Sequence, residues 1–175
     1  MAERPQREPM DQEKIARVGA VVIAWASLEY AMERIIWGLT GLHDGHGRIL
    51  TSGMASRNKH EAITELLAGR TDALAQSIER LLKAVPGLSK ARNDIAHGIW
   101  TWHQEMGYLA IASTRHKPRK KETFPLKPMT DDMLDDLRSV TLEVAGELMA
   151  AADQLGRAPT APPQSREHKP THHEG

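Results

Sequence analysis

Arg92, Asn93 and His97 stand within one short stretch, residues 90–102 (KARNDIAHGIWTW), and carry the side chains in this chain best suited to chemistry. A guanidinium offers a fixed fork of donors that holds anionic oxygens, and an imidazole, with an ordinary pKa near ~6.5, exchanges protons at neutral pH. Arg92 continues an apolar series, with Leu81, Val85 and Leu88 before it and Ile95 and Ile99 after it, so its charge is aimed where a leucine would be ordinary. A buried Arg needs an anionic partner. Glu29 interrupts the apolar series of the first helix in the same way, and the economical expectation is that Glu29 and Arg92 meet across a helix interface. Such a pair accounts for both residues as a device that fixes helix register, and a catalytic role for Arg92 is the competing reading. His97 lies five residues beyond Arg92, about 140° around a helix and ~7.5 Å along it, so the two do not share a face. Asn93 and His97, four apart, do share one, and the Asn amide is placed to orient the imidazole. His97 closes the helix with Gly98 as a natural C′ residue, where the helix dipole favours the cationic imidazole.

These residues need helices to position them, and the apolar spacing supplies them. A first helix is expected over about 11–39, with Ile15, Val18, Val22, Trp25, Met32, Ile36 and Leu39 at alternating spacings of three and four. A Gly- and His-rich loop over 41–47 follows, then a weaker helical stretch over about 49–68 with Leu50, Met54, Ile63, Leu66 and Leu67 as its apolar members. A third helix starts near Thr71 or Asp72, and Pro86 kinks it or splits it in two. Beyond Gly98 the period changes: residues 99–103 and 108–114 are β-branched and aromatic, separated by a polar turn, and read as a β-hairpin with Trp100 and Trp102 on one face. That face is expected to pack on the bundle. A Pro-rich basic stretch over 115–128 leads to a last helix that opens at Thr130, an N-cap, with Asp131 and Asp132 in its first turn. Met133, Leu137, Val140, Val144, Leu148 and Leu155 form its stripe. The sum is a mostly all-α fold, a bundle of four or five helices with a small β-hairpin over about 99–114 inserted before the last helix. The folded domain is expected over 11–155, with residues 1–10 and 156–175 too poor in large apolar side chains to order themselves.

Composition narrows the function. The 175 residues hold 23 Lys plus Arg against 23 Asp plus Glu, nine His and no Cys, for zero formal net charge. A balanced chain does not coat nucleic acid or anionic lipid by bulk charge, but a local site that engages a few phosphates remains open to it. Without cysteine there is no disulfide framework, thiolate metal site or Cys nucleophile, and a cytoplasmic setting is the expectation. The longest uncharged apolar run, residues 18–28, is about half the ~20 residues a membrane-spanning helix needs, so no membrane span is expected. The N-terminus lacks the apolar segment of a secretory signal.

Arg92, Asn93, Ala96, His97 and Gly98 closely resemble the RNxxxH motif of HEPN domains (higher eukaryote and prokaryote nucleotide-binding), helical bundles that include metal-independent endoribonucleases of toxin, phage-defence and RNA-processing systems. The resemblance extends to small bacterial single-domain members with a Trp and a Glu on the first helix, here Trp25 and Glu29, and a Trp-containing hairpin after the motif helix, here Trp100 and Trp102. It implies a homodimer whose Arg and His residues converge at the interface, RNA as substrate, and a cognate antitoxin or inhibitor protein as a possible partner. It also implies that the 2′-hydroxyl attacks the adjacent phosphate to leave 2′,3′-cyclic phosphate ends, with Arg92 and His97 catalytic and Asn93 and Glu29 supporting. Such chemistry needs neither metal nor cofactor. The alternative it leaves open is a non-catalytic HEPN-like domain that dimerises and binds RNA, nucleotide or protein.

Residues 115–121 (RHKPRKK) concentrate Arg115, Lys117, Arg119, Lys120 and Lys121, the best candidates for holding an RNA backbone, although such runs are commonly solvated loops. Other patterns carry less. His43, Asp44 and His46 read as a polar turn rather than a metal site. His60 and Glu61 lack the second His of a zincin helix, and Arg57, Asn58 and His60 imitate the motif at the wrong spacing. His172 and His173 lie in the tail. No phosphate-cradling glycine loop is present.

Overall fold

A computed structural model of the chain describes residues 10–103, 108–112 and 126–157. Asp11 opens α1 (Gln12–Thr40) by accepting from the Lys14 backbone N–H, and Gly41 closes it in the left-handed region (φ 67°), where a Cβ would be strained. The buried residues of α1 are Val21, Ala24, Trp25, Leu28, Ala31, Met32, Ile35, Ile36 and Trp37. The sequence stripe is thereby rotated: Ile15 is 47% exposed, while Leu28, Ile35 and Trp37, outside the expected seam, are buried. By length and composition alone α1 could cross a membrane, a test that core helices also meet; part of its apolar surface is buried in the core, while Ile15 and Ile23 are exposed.

The expected loop over 41–47 is short. α2 (Asp44–Thr51) starts at once, with His43 at its N-cap and Asp44 and His46 in its first turn. Gly47 serves close approach here, since a Cβ on it would lie 2.4 Å from Trp37 Cγ. The Trp37 indole N–H donates to Thr51 Oγ1 at 3.1 Å, and the Thr51 hydroxyl donates to the Gly47 carbonyl at 3.0 Å. Leu50, expected inside, is 62% exposed. The stretch expected as one helix over 49–68 therefore divides into α2 and α3 (Ser56–Leu67). α4 (Ala73–Leu82) is capped by Asp72, whose carboxyl is held below the usual carboxylate range by the Ala75 backbone N–H and then by Arg70. Pro86 in the first turn of α5 (Val85–His97) makes the expected split. Six helices result among the described residues, where four or five were expected.

The hairpin forms β1 (Ile99–His103) and β2 (Tyr108–Ala112), antiparallel, with Trp100 opposite Ile111. A third strand, β3 (Leu126–Pro128), pairs with β2 inside the stretch expected to be irregular. Thr130 caps α6 (Asp131–Arg157) through its hydroxyl, which accepts from the Met133 N–H at 3.2 Å. α6 runs two residues past the expected domain end.

α1 and α6 make the most extensive helix contact. They run parallel: Lys14 meets Asp131 and Arg17 meets Asp135 at one end, and Gly38 abuts Leu155 at the other. The Lys14 ammonium holds the Asp131 carboxyl below its usual range. Leu134, Thr141, Val144, Ala145, Leu148, Ala151, Ala152 and Leu155 are the buried face of α6, while the expected Met133 and Val140 are each 45% exposed. The main core joins α1, α3, α4, α5 and α6. A smaller cluster of Val21, Ile95, Ile111 and Leu134, with Trp100 against it, seats the sheet.

Candidate functional site

α5 presents the motif. Arg92 is half-buried, its guanidinium carbon 5.9 Å from the Trp25 ring centre, and its Nη1 donates to Asn93 Oδ1 at 3.0 Å. The Arg92 Nε and the Trp25 Nε1 are both buried without a hydrogen-bond partner among the described residues. The expected Glu29–Arg92 pair is not formed. Glu29 instead accepts from the Ser56 hydroxyl at the start of α3. The buried ion pair between α1 and a neighbouring helix lies one turn further on, where Lys59 Nζ of α3 meets Glu33 Oε1 at 2.6 Å. The physical reason is register: α3 and not α5 faces the acidic positions of α1, while Trp25 occupies the side towards Arg92. A double-mutant cycle on Glu29→Ala and Arg92→Ala, measured by denaturant unfolding, is expected to be additive within about 0.5 kcal/mol. A coupling well above that would restore the pair.

Asn93 holds the guanidinium through its carbonyl oxygen. His97 is exposed at the last position of α5. Gly98 follows at φ −73° and ψ 156°, extended rather than left-handed, because the chain passes directly into β1. One carbonyl near the helix end is satisfied from the sheet: the Trp100 indole N–H donates to Ile95 O at 3.1 Å. Trp100 thus packs on the bundle as expected, and the side chain of Trp102 lies outside the described residues. Asp94 receives Lys127 of β3 at 3.3 Å.

A cleft of about 570 Å³ opens between α1, α3 and α5, lined by Arg92 and Asn93 together with Ser56, Arg57, His60 and Glu61. His97 is not among its lining residues, as its position on another side of α5 requires. His60 and Arg57, set aside in the sequence because their spacing matched no motif, are brought to Arg92 by the packing of α3. The His60 Nε2–H donates to the Leu82 carbonyl at 3.2 Å, which leaves Nδ1 as an acceptor in the neutral ring. Arg57 pairs with Glu61 at 2.7 Å. The one sequence signal for Arg57 is that i, i+4 spacing, and it says nothing of the cleft.

The backbone candidates Arg115, Lys117, Arg119, Lys120 and Lys121 lie outside the described residues, as do His172 and His173. Asp131 and Asp135, which the sequence sets beside that basic run, are engaged by Lys14 and Arg17. Among the described residues no three His, Asp or Glu side chains gather as a metal ion would require. Comparison with protein-family models, with curated proteins and with solved structures finds no match to this chain, so the likeness over Arg92 to Gly98 stands on those residues alone.

Proposed function

We propose that the chain is a HEPN-type, metal-independent endoribonuclease. The observation that carries the reading is Arg92: it lines an open cleft, and among the described residues no carboxylate neutralises it. A guanidinium so placed is available to a phosphate. In the proposed reaction the 2′-oxygen bonds to phosphorus, the bond from phosphorus to the 5′-oxygen breaks, and the products are a 2′,3′-cyclic phosphate and a 5′-hydroxyl. His97 takes the 2′-hydroxyl proton or delivers one to the leaving oxygen, and Arg92 stabilises the charge on the phosphorane oxygens. The test is cleavage of a varied RNA pool in EDTA by the native chain, His97→Ala and Arg92→Ala. An inert native chain, or two variants that cut as well as it does, ends the reading.

Because Arg92 and His97 diverge by about 140° around α5, one phosphate meets both when a second copy supplies one of them. Light scattering at micromolar concentration is expected to give the mass of a dimer. A native monomer undermines the composite site.

One observation favours a non-catalytic, RNA- or nucleotide-binding HEPN-like domain instead, namely that His97 does not line the cleft that Arg92 lines. The cleavage assay separates the two.

A further inference from the structure

We infer that a second cavity, on the far side of α5 from the cleft that Arg92 lines, is a binding site for a small apolar monocarboxylate of the medium-chain fatty acid class. It measures about 300 Å³, at the lower end of the range for small-molecule sites. Lys90, Ala91, Asp94 and Ile95 of α5 line it, whereas Ser89, Arg92 and Asn93 line the cleft, and at 100° per residue the two sets point to opposite sides of the helix. The two cavities have no lining residue in common among those described. α5 and α6 make little contact with each other, and the cavity lies between them beside β2 and β3.

Most of its lining is apolar. Ile95 and Ile111 are each 2% exposed, Met129 and Leu137 are half-buried, and Met133 is 45% exposed. Met133 and Leu137 stand one turn apart in the apolar stripe of α6, which here faces the cavity and no other helix. The exposure of Met133, at odds with its place in that stripe, has its reason in this gap. Methionine side chains are unbranched and flexible, so they conform to an alkyl chain, and covering them removes apolar area from water.

The head group follows from charge. Three charged residues line the cavity: Lys90, Asp94 and Lys127. Lys127 Nζ meets Asp94 at 3.3 Å, and Lys90 has no ion-pair partner among the described residues, so one positive charge is left over. These charges stand on α5 and β3, across the cavity from the apolar positions of α6. A molecule with one anionic end and one apolar end matches both sides, whereas an ammonium head would meet two lysines. The site goes beyond the ribonuclease reading: it uses neither Arg92 nor His97, and it stands whether or not RNA is cut.

The test is an NMR titration of the full chain, labelled with ¹³C at its methionine methyl groups, with butanoate, hexanoate and octanoate, and with octan-1-ol and octylammonium as controls. Saturable shifts are expected at the Met129 and Met133 methyls, with affinity rising about threefold to fourfold for each added methylene. Octanoate is expected to bind several-fold more tightly than octan-1-ol. Lys90 and Met133 are both exposed, so each can be replaced without harm to the core, and thermal midpoints check this. Lys90→Gln is expected to remove the preference of octanoate over octan-1-ol. Met133→Glu is expected to weaken octanoate tenfold or more, because it sets a like charge against the apolar wall. No saturation with octanoate, octan-1-ol or octylammonium binding the native chain as tightly as octanoate, shifts confined to other methionines, or unchanged octanoate affinity in both variants overturns the proposal. Octanoate binding by a chain that leaves RNA intact keeps this site and loses the ribonuclease.

Discussion

His97→Ala is expected to lower the rate of RNA cleavage in EDTA by roughly 10²–10⁴-fold, the usual contribution of a positioned acid or base. His97 is exposed at the end of α5, and its variant's thermal midpoint must be followed alongside its activity. Arg92→Ala is expected to cost about 10²–10³-fold, the scale for removing one group that stabilises developing charge. That variant also removes a side chain packed on Trp25, so its thermal midpoint must be followed alongside its activity. Arg92→Lys supplies the control, since it keeps the charge and loses the planar fork. If the fork matters, the Lys variant stays folded and remains slow. Product ends read by mass spectrometry should be 2′,3′-cyclic phosphate and 5′-hydroxyl, and 3′-hydroxyl ends would refute attack by the 2′-oxygen.

The largest expected loss of stability lies elsewhere, at Lys59. Its side chain is 6% exposed, and its ammonium meets Glu33, 15% exposed, at 2.6 Å. Removing one partner of a buried pair leaves the other charge uncompensated, so Lys59→Met is expected to cost about 3–5 kcal/mol in denaturant unfolding. Replacing both, as Lys59→Met with Glu33→Leu, should recover most of the loss, because two apolar side chains of similar volume fill the space without a desolvated charge. A single variant that costs less than about 1 kcal/mol would show the pair to be screened by solvent. The contrast with the additive cycle expected for Glu29 and Arg92 tells which carboxylate of α1 is structural.

Much of the fold could be read from local pattern. The helix start near Thr71 or Asp72, the break at Pro86, the cap at Thr130 and a hairpin opening at Ile99 depend on a few neighbouring residues, and each appears as expected; the second strand is described over 108–112, within the 108–114 expected. Other features depend on partners far away in the chain. β3 exists because β2 offers it an edge, and nothing in Leu126, Lys127 and Pro128 announces a strand. α2 forms where a glycine loop was expected because Gly47 lets its backbone approach Trp37, a use of glycine that spacing does not reveal.

The candidate site divides along the same line. Sequence alone determined the angular order of residues around each helix: that Arg92 and His97 diverge on α5, that Asn93 adjoins Arg92, and that Trp100 returns towards the bundle. Only the tertiary structure decided which helix each face meets. Parallel packing of α1 on α6, with α3 laid against the acidic side of α1, gives Glu33 to Lys59 and Glu29 to Ser56. Arg92 is left over Trp25 at the edge of a cleft that His60 and Arg57 also line. A helical period fixes directions about one axis, whereas the choice of neighbour is a sum over the whole core. A single polar residue within an apolar stripe therefore shows that it needs a partner without showing which one.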